Sequence, residues 1–412
     1  MDKEFFKTVS LAAFGELLRG FAPLAAQSAG LLEAHGRYLS EDVVAGEDLP
    51  PVSRSCMDGY ALRARDAFGA SEGNPAYLEC AASLAVDGIF SGELPQGQCA
   101  GILTGGSLPA GADAVVMIEH TARMGEATIE IRRSPAPGEN VMRAGEDAAR
   151  GQVALPAATR LRPQEIGLLA ALGRERVMVR ARPRVAIVST GDEVVPVAAQ
   201  ARPGQVRDVN SYALACQARE AGGEPKLCGL VPDDAAALRA ALEEALAASD
   251  AVLISGGSSV GARDYTVAAV EALPGAAVLA HGVAMRPGKP VLLARVGEKA
   301  VIGLPGQVTS AQVVMIALGM PFLRHLQGDA AAFERQSATV VAELARNLPS
   351  ARGREDFIRV RLERRLGMVP LAHPLLGKSG LLSTMIAAGG LARIEAQREG
   401  LEAGALVEVI VL

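Results

Sequence analysis

The sequence predicts a protein of α/β and β multidomain class, centred on a doubly wound α/β/α domain. Strand-like and helix-like stretches alternate over residues 184–328, short apolar runs separated by turns fill 47–142, and strand-like runs return after residue 328. We expect four parts: an N-terminal helical and linker region (1–46 and 143–180), a β-rich lobe with helical elements (47–142), the α/β domain (181–328) and a small C-terminal β-barrel (329–412).

The N-terminal part is predicted to contain helices. Four apolar residues between Leu11 and Leu18 recur at helical spacing, and a second helical pattern covers residues 24–39. Residues 163–173 also predict a helix, because Pro at the start and Gly at the end is the favoured arrangement. The lobe contains short apolar runs typical of strands, at 77–80, 101–104, 114–118 and 127–131.

The α/β domain alternates predicted strands with predicted helices. Strands are expected at 184–189, 226–230, 251–254, 291–294 and 300–303. Asn210 is expected to cap a helix that continues through Ala221, and Asp233-Asp234 and Asp264 are expected to open two others. The last part of the chain fits a small β-barrel or a sandwich, of which we expect the barrel, with strand-like runs at 338–341, 356–362 and 405–412.

Composition excludes several classes of protein. Half of the 412 residues are hydrophobic and the formal net charge is −5, which disfavours a general nucleic-acid binder because such a protein needs a basic face. With no Trp and 3% aromatic residues, a base-stacking platform is not expected either. The five cysteines are scattered without C-x-x-C spacing, so we expect reduced thiols in the cytoplasm, and neither a disulfide framework nor a cysteine zinc site.

The longest uncharged stretch, residues 301–323, has the length of a membrane-spanning helix. It is interrupted by a Gly-Leu-Pro-Gly turn and by Pro321, so we interpret it as a buried strand, a turn and a buried helix. The first residues are charged and lack the apolar run of a signal peptide. We therefore expect a cytoplasmic protein with no membrane partner.

Polar and glycine-rich turns follow the predicted strands of the α/β domain. In open α/β sheets, ligands bind beyond the carboxyl ends of the strands, where glycines let the backbone approach them. Carboxylates at this edge suit Mg²⁺ that bridges to phosphate. Helix capping explains Asp233, Asp234 or Asp264 taken singly. Glu193 has no evident capping role and is the best single candidate for a catalytic or metal-linked carboxylate.

Three further segments each allow two interpretations. Residues 286–290, Arg-Pro-Gly-Lys-Pro, form either an ordinary turn with solvated cations or a clamp for phosphate or another oxyanion. In the lobe, the loops around Asp58 and Thr104 are turns or parts of a site. The arginines of residues 352–365 are offset by acidic neighbours, which favours a solvated strand face over a polyanion site.

Taken together, these segments resemble the MoeA-type molybdopterin molybdenumtransferases, a family that includes the E domain of gephyrin. The resemblance covers nearly the whole chain, and its motifs occur in fixed order. They include Met57-Asp58-Gly59-Tyr60-Ala61, Thr104-Gly105, Ser189-Thr190-Gly191-Asp192-Glu193, Asp208 with Asn210-Ser211, Asp233-Asp234, Ser255-Gly256-Gly257, Asp264-Tyr265, Pro287-Gly288-Lys289-Pro290 and Gly303-Leu304-Pro305-Gly306.

The resemblance implies a reaction and its partners. Such enzymes take adenylylated molybdopterin, release AMP and insert molybdate into the dithiolene with the help of Mg²⁺. The pterin supplies the sulfur ligands, which agrees with the scattered cysteines here. It also implies an elongated homodimer whose site lies between the α/β domain, which binds molybdopterin, and the β-rich lobe of the other subunit. A molybdopterin adenylyltransferase is the expected upstream partner.

The resemblance also assigns roles to residues. It implies catalytic roles for Asp58, Thr104, Glu193 and Asp264, and a metal site formed by Glu193 with Asp233 or Asp234. The residues expected to line the pterin and phosphate pocket are Thr190, Gly191, Asp192, Ser255, Gly256, Gly257, Ser259, Arg286, Pro287, Gly288, Lys289 and Pro305.

Two departures from the family pattern keep alternatives open. Gln307-Val308 stands where Asn-Pro is usual, and Ser53-Arg54-Ser55-Cys56 replaces a stretch that usually carries Ala and an acidic or amide residue. Molybdate and tungstate both remain possible substrates. One alternative function is a pterin-binding scaffold without turnover, and another is a Mg²⁺-dependent nucleotide enzyme on the same fold.

Overall fold

The computed structural model describes residues 8–256, 262–334, 338–378 and 380–412, and for residues 262–264 it gives the helical backbone alone. The chain forms two compact units, each described by itself. One comprises residues up to Ala29, Gly36–Ser40 and Met178–Leu412, and the other comprises Gly30–His35 and Glu41–Val177.

The N-terminal segment contains one of the two predicted helices. Helix α1 (Leu11–Arg19) begins after Ser10, whose side chain accepts a hydrogen bond from Ala13 N, and it buries Leu11, Phe14 and Leu18. The helix predicted at 24–39 is wrong, because strand β1 (Ala26–Gly30) and the single turn α2 (Leu31–Ala34) occupy this range. Gly36 follows with a φ of 79°, a conformation that ends a helix.

The β-rich unit is built on a sheet of six strands, as the short apolar runs predicted. The elements of this unit are β2 (Val43–Val44), β3 (Arg54–Ser55), β4 (Gly59–Leu62), β5 (Ala76–Ser83), β6 (Gln98–Ile102), β7 (Ala114–Met117), β8 (Thr121–Met124), β9 (Thr128–Ile131), β10 (Val141–Met142), β11 (Val153–Leu155) and the predicted helix α3 (Pro163–Ala171). The order of the six-stranded sheet is β7-β4-β6-β5-β9-β8, and Leu62, Cys99, Ile129 and Ile131 lie in its core.

The α/β domain also contains six strands in one sheet. Its elements are β12 (Arg176–Arg180), β13 (Arg184–Thr190), β14 (Val194–Val195), β15 (Val206–Arg207), α4 (Asn210–Glu220), β16 (Glu224–Val231), α5 (Ala235–Ala248), β17 (Ala251–Ser255), α6 (Ala262–Glu271), β18 (Ala276–His281), β19 (Met285–Arg286), β20 (Leu292–Val296), β21 (Lys299–Leu304), α7 (Val308–Val314), a π-helical turn (Met315–Gly319) and α8 (Met320–Leu326).

Helices cover both faces of this sheet, which confirms the doubly wound architecture. The order is β16-β13-β17-β21-β20-β18, with parallel pairing from β16 to β21 and antiparallel pairing beyond. Val185 and Ile187 pack in one hydrophobic cluster with α1, α4 and α8, whereas Ala186 and Val188 pack in another with α5. The strands β13, β16, β17 and β21 all end at the same sheet edge.

The uncharged stretch 301–323 folds as a strand, a turn and helices, as the interruptions predicted. It runs from β21 through α7 and the π-helical turn into α8, and its apolar side chains lie in the domain core. Within the described residues, the structure contains no helix with the length and apolar character needed to cross a membrane.

The C-terminal region is a closed barrel of five strands, as expected. The elements are β22 (Thr339–Leu344), β23 (Leu348–Pro349), β24 (Glu355–Glu363), β25 (Leu371–Pro374), α9 (Leu382–Ile386), β26 (Gly390–Ile394), β27 (Gly400–Leu401) and β28 (Leu406–Val411). The barrel closes because β24 pairs with both β25 and β26, which connect through β22 and β28. Strand β19 adds to β24 in parallel, with Arg286 opposite Asp356.

Candidate functional site

A cleft of about 580 Å³ lies at the carboxyl ends of the parallel strands. This is the edge where open α/β sheets bind ligands. The cleft collects many of the residues selected from the sequence: among the predicted site residues, Thr190, Glu193, Asp233, Ser255 and Gly256 line it. We call it the carboxylate cleft.

The two neighbouring aspartates at the start of α5 have different surroundings. Asp233 lines the carboxylate cleft, and its Oδ1 accepts a hydrogen bond from Thr190 Oγ1 at 2.6 Å. Asp192 Oδ1 accepts from Asp233 N at 3.2 Å. Asp234 instead caps α5, since its Oδ1 accepts from Ala237 N at 2.8 Å. The structure thus resolves the pair into one cleft residue and one cap.

Glycines bring the backbone close together at this edge. Gly256 has a φ of 136°, and a Cβ at this position would collide with the carbonyl oxygen of Thr190. Gly191 has a φ of 145°, and a Cβ there would lie 3.0 Å from Glu193 Oε2. Glu193 itself is exposed on the cleft. Gly191 therefore leaves room for the Glu193 carboxylate, and Gly256 allows the close approach of the backbone to the end of β13.

Sequence reasoning did not select a buried polar network in the lining of the cleft as part of the site. Ser211 N donates to Asp208 Oδ1 at 3.0 Å, and the Ser189 and Ser211 hydroxyls lie 2.8 Å apart. Asn210 Nδ2 donates to Ser255 Oγ at 2.7 Å and to the Gly306 carbonyl at 2.9 Å. The sequence feature that could have identified this network is the polar string Asp208-Val209-Asn210-Ser211, which follows β15 and leads into α4.

The carboxylates of this cleft suit a divalent cation whose coordination is completed by a bound substrate. Within the described residues, no three His, Cys, Asp or Glu side chains converge as a metal-binding group. Glu193 and Asp233 both line the cleft. Proteins commonly hold Mg²⁺ with one or two carboxylates while substrate phosphates and water complete its coordination. The donor set suits Mg²⁺ bound together with a phosphate.

A second cleft, of about 610 Å³, is lined by four cationic residues. Its lining includes Arg286, Lys289, Arg352 and Arg354, and the described lining residues include no carboxylate. Pro287, Gly288, Pro305 and Ser310 also line it, and Gln307 lines both clefts. Four cations facing one concave surface favour an oxyanion clamp over an ordinary solvated turn for residues 286–290. We call it the cationic cleft.

The arginine-rich strand after residue 351 is not simply a solvated face, and that part of the prediction is wrong. Asp356 is fully buried and Arg354 Nε donates to its Oδ1 at 3.0 Å. Arg359 is half-buried and donates to Thr309 Oγ1, Thr384 Oγ1 and the Gly377 carbonyl. Burial lowers the pKa of the Arg359 guanidinium. Asp356 does not offset Arg359, because the two lie three residues apart in β24 and face opposite sides of the strand.

In the β-rich unit, the two predicted lobe residues contact each other. Asp58 Oδ1 accepts hydrogen bonds from Thr104 N at 2.7 Å and from Thr104 Oγ1 at 2.8 Å. These two bonds, first the backbone one and then that of the hydroxyl, lower the pKa of the Asp58 carboxyl. Both residues are exposed. The pair is therefore an ionised, oriented carboxylate available to a ligand.

Three predicted site residues lie, wholly or in their side chain, outside the described part of the chain. Gly257 and Ser259 are outside the described residues, and for Asp264 only the helical backbone is described. Helix α6 begins at Ala262, so the expectation that Asp264 opens this helix is wrong, and Asp264 is its third residue. Similarly, α4 begins at Asn210 after Val209, so Asn210 lies within the helix and does not cap it.

Family models match most of the chain. The MoeA N-terminal region (domain I and II) matches residues 9–173, a model described as "Probable molybdopterin binding domain" matches 186–325, and the MoeA C-terminal region (domain IV) matches 341–412. The three models occur in the order that the sequence motifs suggested.

Individual proteins are similar over comparable lengths. The molybdopterin molybdenumtransferase of Bacillus subtilis is 33% identical over 380 residues, covering 91% of this chain and 87% of that protein. Its namesake in Nostoc sp. is 39% identical over 307 residues, covering 74% and 70%. A crystal structure of the molybdopterin biosynthesis MoeA protein of Pyrococcus horikoshii superposes with a TM-score of 0.84, at 31% identity and with 98% and 100% covered.

Proposed function

The chain belongs to the MoeA family, and on that premise we propose that it inserts molybdate into adenylylated molybdopterin with release of AMP. The observation that carries the proposal is the pair of clefts that share Gln307, one bearing carboxylates and the other cations. A substrate with a phosphoanhydride needs charge compensation at phosphate, and the second reactant is itself an oxyanion. The two clefts offer complementary charges to these groups.

The proposed roles follow from position. Glu193 and Asp233 would hold Mg²⁺, and Thr190 fixes the Asp233 carboxylate by a hydrogen bond. When bound, Mg²⁺ offsets the negative charge of the substrate phosphates. Arg286 and Lys289 attract the oxyanion. The protein acts by positioning and electrostatics, since the sulfur ligands belong to the pterin.

The proposal extends to partners. We propose a homodimer in which the Asp58–Thr104 pair of one subunit joins the clefts of the other, supported by the exposure of this ionised pair. The enzyme class that supplies the substrate is a molybdopterin adenylyltransferase. The proposed location is the cytoplasm, where the five free cysteines stay reduced.

An AMP-release assay tests the function. Purified protein is incubated with adenylylated molybdopterin, Mg²⁺ and either molybdate or tungstate, and AMP is measured by chromatography. We expect molybdate-dependent release. Tight pterin binding without AMP release would favour the non-catalytic scaffold, for which the altered Gln307-Val308 turn is the motivating feature.

Substitution of Glu193 tests whether AMP release depends on the carboxylate cleft. Glu193→Gln removes a charge at nearly constant shape and should lower kcat by about 100-fold, with the thermal unfolding midpoint unchanged. The matched control is Glu220→Gln, an exposed residue at the end of α4 that lines neither cleft. Equal effects of the two substitutions would refute the role of Glu193.

A further inference from the structure

Arg354 is a cation of the cationic cleft that is held by a buried carboxylate. Its Nε donates to Asp356 Oδ1 at 3.0 Å, and its side chain is 35% exposed whereas that of Asp356 is 0% exposed. Arg354 lines the cleft together with Arg286 and Lys289. One edge of the guanidinium is thus anchored, and the group remains accessible to a ligand.

Asp356 forms its ion pair with Arg354 and lies buried within the barrel. It lies at the start of β24, between Arg286 of β19 on one side and Ile394 of β26 on the other in the strand register. Its Oδ2 is buried and has no hydrogen-bond partner among the described residues. A buried carboxylate with an unpartnered oxygen is costly, so its retention calls for an explanation.

The geometry leaves most of the Arg354 donors for a ligand. A guanidinium has five N–H donors in a rigid fork, and only Nε is used by Asp356. By contrast, Arg352 of the same cleft is 72% exposed and forms an ion pair with Glu399. Because the bond through Nε already restricts the rotamers of Arg354, this side chain loses less conformational entropy on binding an anion than an unanchored arginine does.

We propose that Arg354 binds a tetrahedral oxyanion in the cationic cleft and that Asp356 is the residue that positions it. This inference rests on the proposed function, to which it adds an anion-binding residue and its support. The fork of a guanidinium matches two oxygens of a tetrahedral dianion, which lysine cannot do. Molybdate and the phosphate of AMP share this chemistry, and the experiment has an arm for each.

The first experiment measures molybdate binding and AMP binding separately by isothermal titration calorimetry. Arg354→Met should weaken binding in at least one arm by about tenfold or more, the effect of losing a charge-assisted hydrogen bond. Arg354→Lys should restore only part of it, because the fork is lost. The matched control is Arg361→Met, an exposed arginine on the same strand that lines neither cleft, with an expected change below about twofold.

The second experiment tests positioning by Asp356. Asp356→Asn should weaken binding of the same anion, and in the AMP-release assay it should raise KM for molybdate more than it lowers kcat if molybdate is that anion. In an Arg354→Met background it should add nothing, because Asp356 acts through Arg354. A further loss in the double variant would show an independent structural role and overturn the positioning claim.

The outcomes separate this inference from the proposed function. If Arg354→Met and Arg361→Met are equal in both arms while wild-type protein binds the anions and releases AMP, the inference is wrong and the function stands. If wild-type protein releases no AMP but Arg354→Met still abolishes anion binding, the function is wrong and the anion site stands. Should Asp356→Asn fail to fold, the Arg354 variants alone decide the binding claim.

Discussion

Asp58 and Thr104 form a pair in which neighbouring donors keep a surface carboxyl group ionised. The Thr104 backbone N–H and hydroxyl both donate to Asp58 Oδ1, and the pKa of Asp58 is lowered as a result. Because the pKa in the folded state is lowered, these bonds stabilise the fold above about pH 4 and are lost as pH falls through the lowered value.

A titration of Asp58 checks this account. Carboxyl NMR should give Asp58 a pKa below its ordinary value of 3.8. Thr104→Ala should raise the pKa only part of the way back, since the backbone N–H is the larger cause and remains. Thr121→Ala is the control, because that hydroxyl donates to the Ile118 carbonyl. A pKa at or above 3.8 in the wild-type protein would contradict the pairing.

Residue identities were accessible from the sequence, whereas residue contacts were not. The motif strings contain both Asp58 and Thr104, but their contact depends on β4 pairing with β6, which sets Gly59 opposite Ile102. Such a register joins distant segments and has no local signature. In the same way, the spacing of Arg354 and Asp356 was visible, but the burial of Asp356 follows from the packing of β24 into the barrel.

At the scale of elements, the strand–helix alternation of the α/β domain was predictable and the N-terminal helix at 24–39 was not. Strands β13 and β17 are buried on both faces, so each is a continuous apolar run in the sequence and is easily predicted as a strand. Residues 24–39 carry apolar residues at helical spacing, yet Gly30 and Gly36 divide the segment. The pairing of β1 with β12 therefore outweighs the helix propensity of this segment.

The two aspartates at the start of α5 are expected to differ in their contributions to stability and to activity. Asp234→Ala removes the bond to Ala237 N and should destabilise the protein by about 1 kcal/mol in urea denaturation, with AMP release retained. Asp233→Asn, one residue earlier, should leave stability nearly unchanged and lower AMP release. The reverse pattern would assign the cleft role to Asp234 and the structural role to Asp233.

At the scale of the whole molecule, the sequence predicted the kinds of architecture present, including the closed barrel. The four-part division stays a prediction, while the structure separates two compact units with the N-terminal segment shared between them. This sharing could not be predicted, because residues 8–29 and 30–35 join different units through packing that composition does not encode.

The proposed dimer predicts complementation between inactive subunits. Asp58→Asn and Glu193→Gln should each abolish most AMP release, and a reassembled equal mixture should recover about a quarter of wild-type activity, because mixed dimers keep one intact composite site. Mixing each variant with itself is the control. If both residues act within one subunit, the mixture would gain no activity.

The most direct test of the central claim is the stoichiometry of a single turnover. Enzyme in excess over adenylylated molybdopterin is supplied with molybdate and Mg²⁺, and both AMP and pterin-bound molybdenum are quantified. We expect the two to rise together, at the same rate and in equal amounts. AMP released without molybdenum entering the pterin, or no AMP at all from bound substrate, would contradict it.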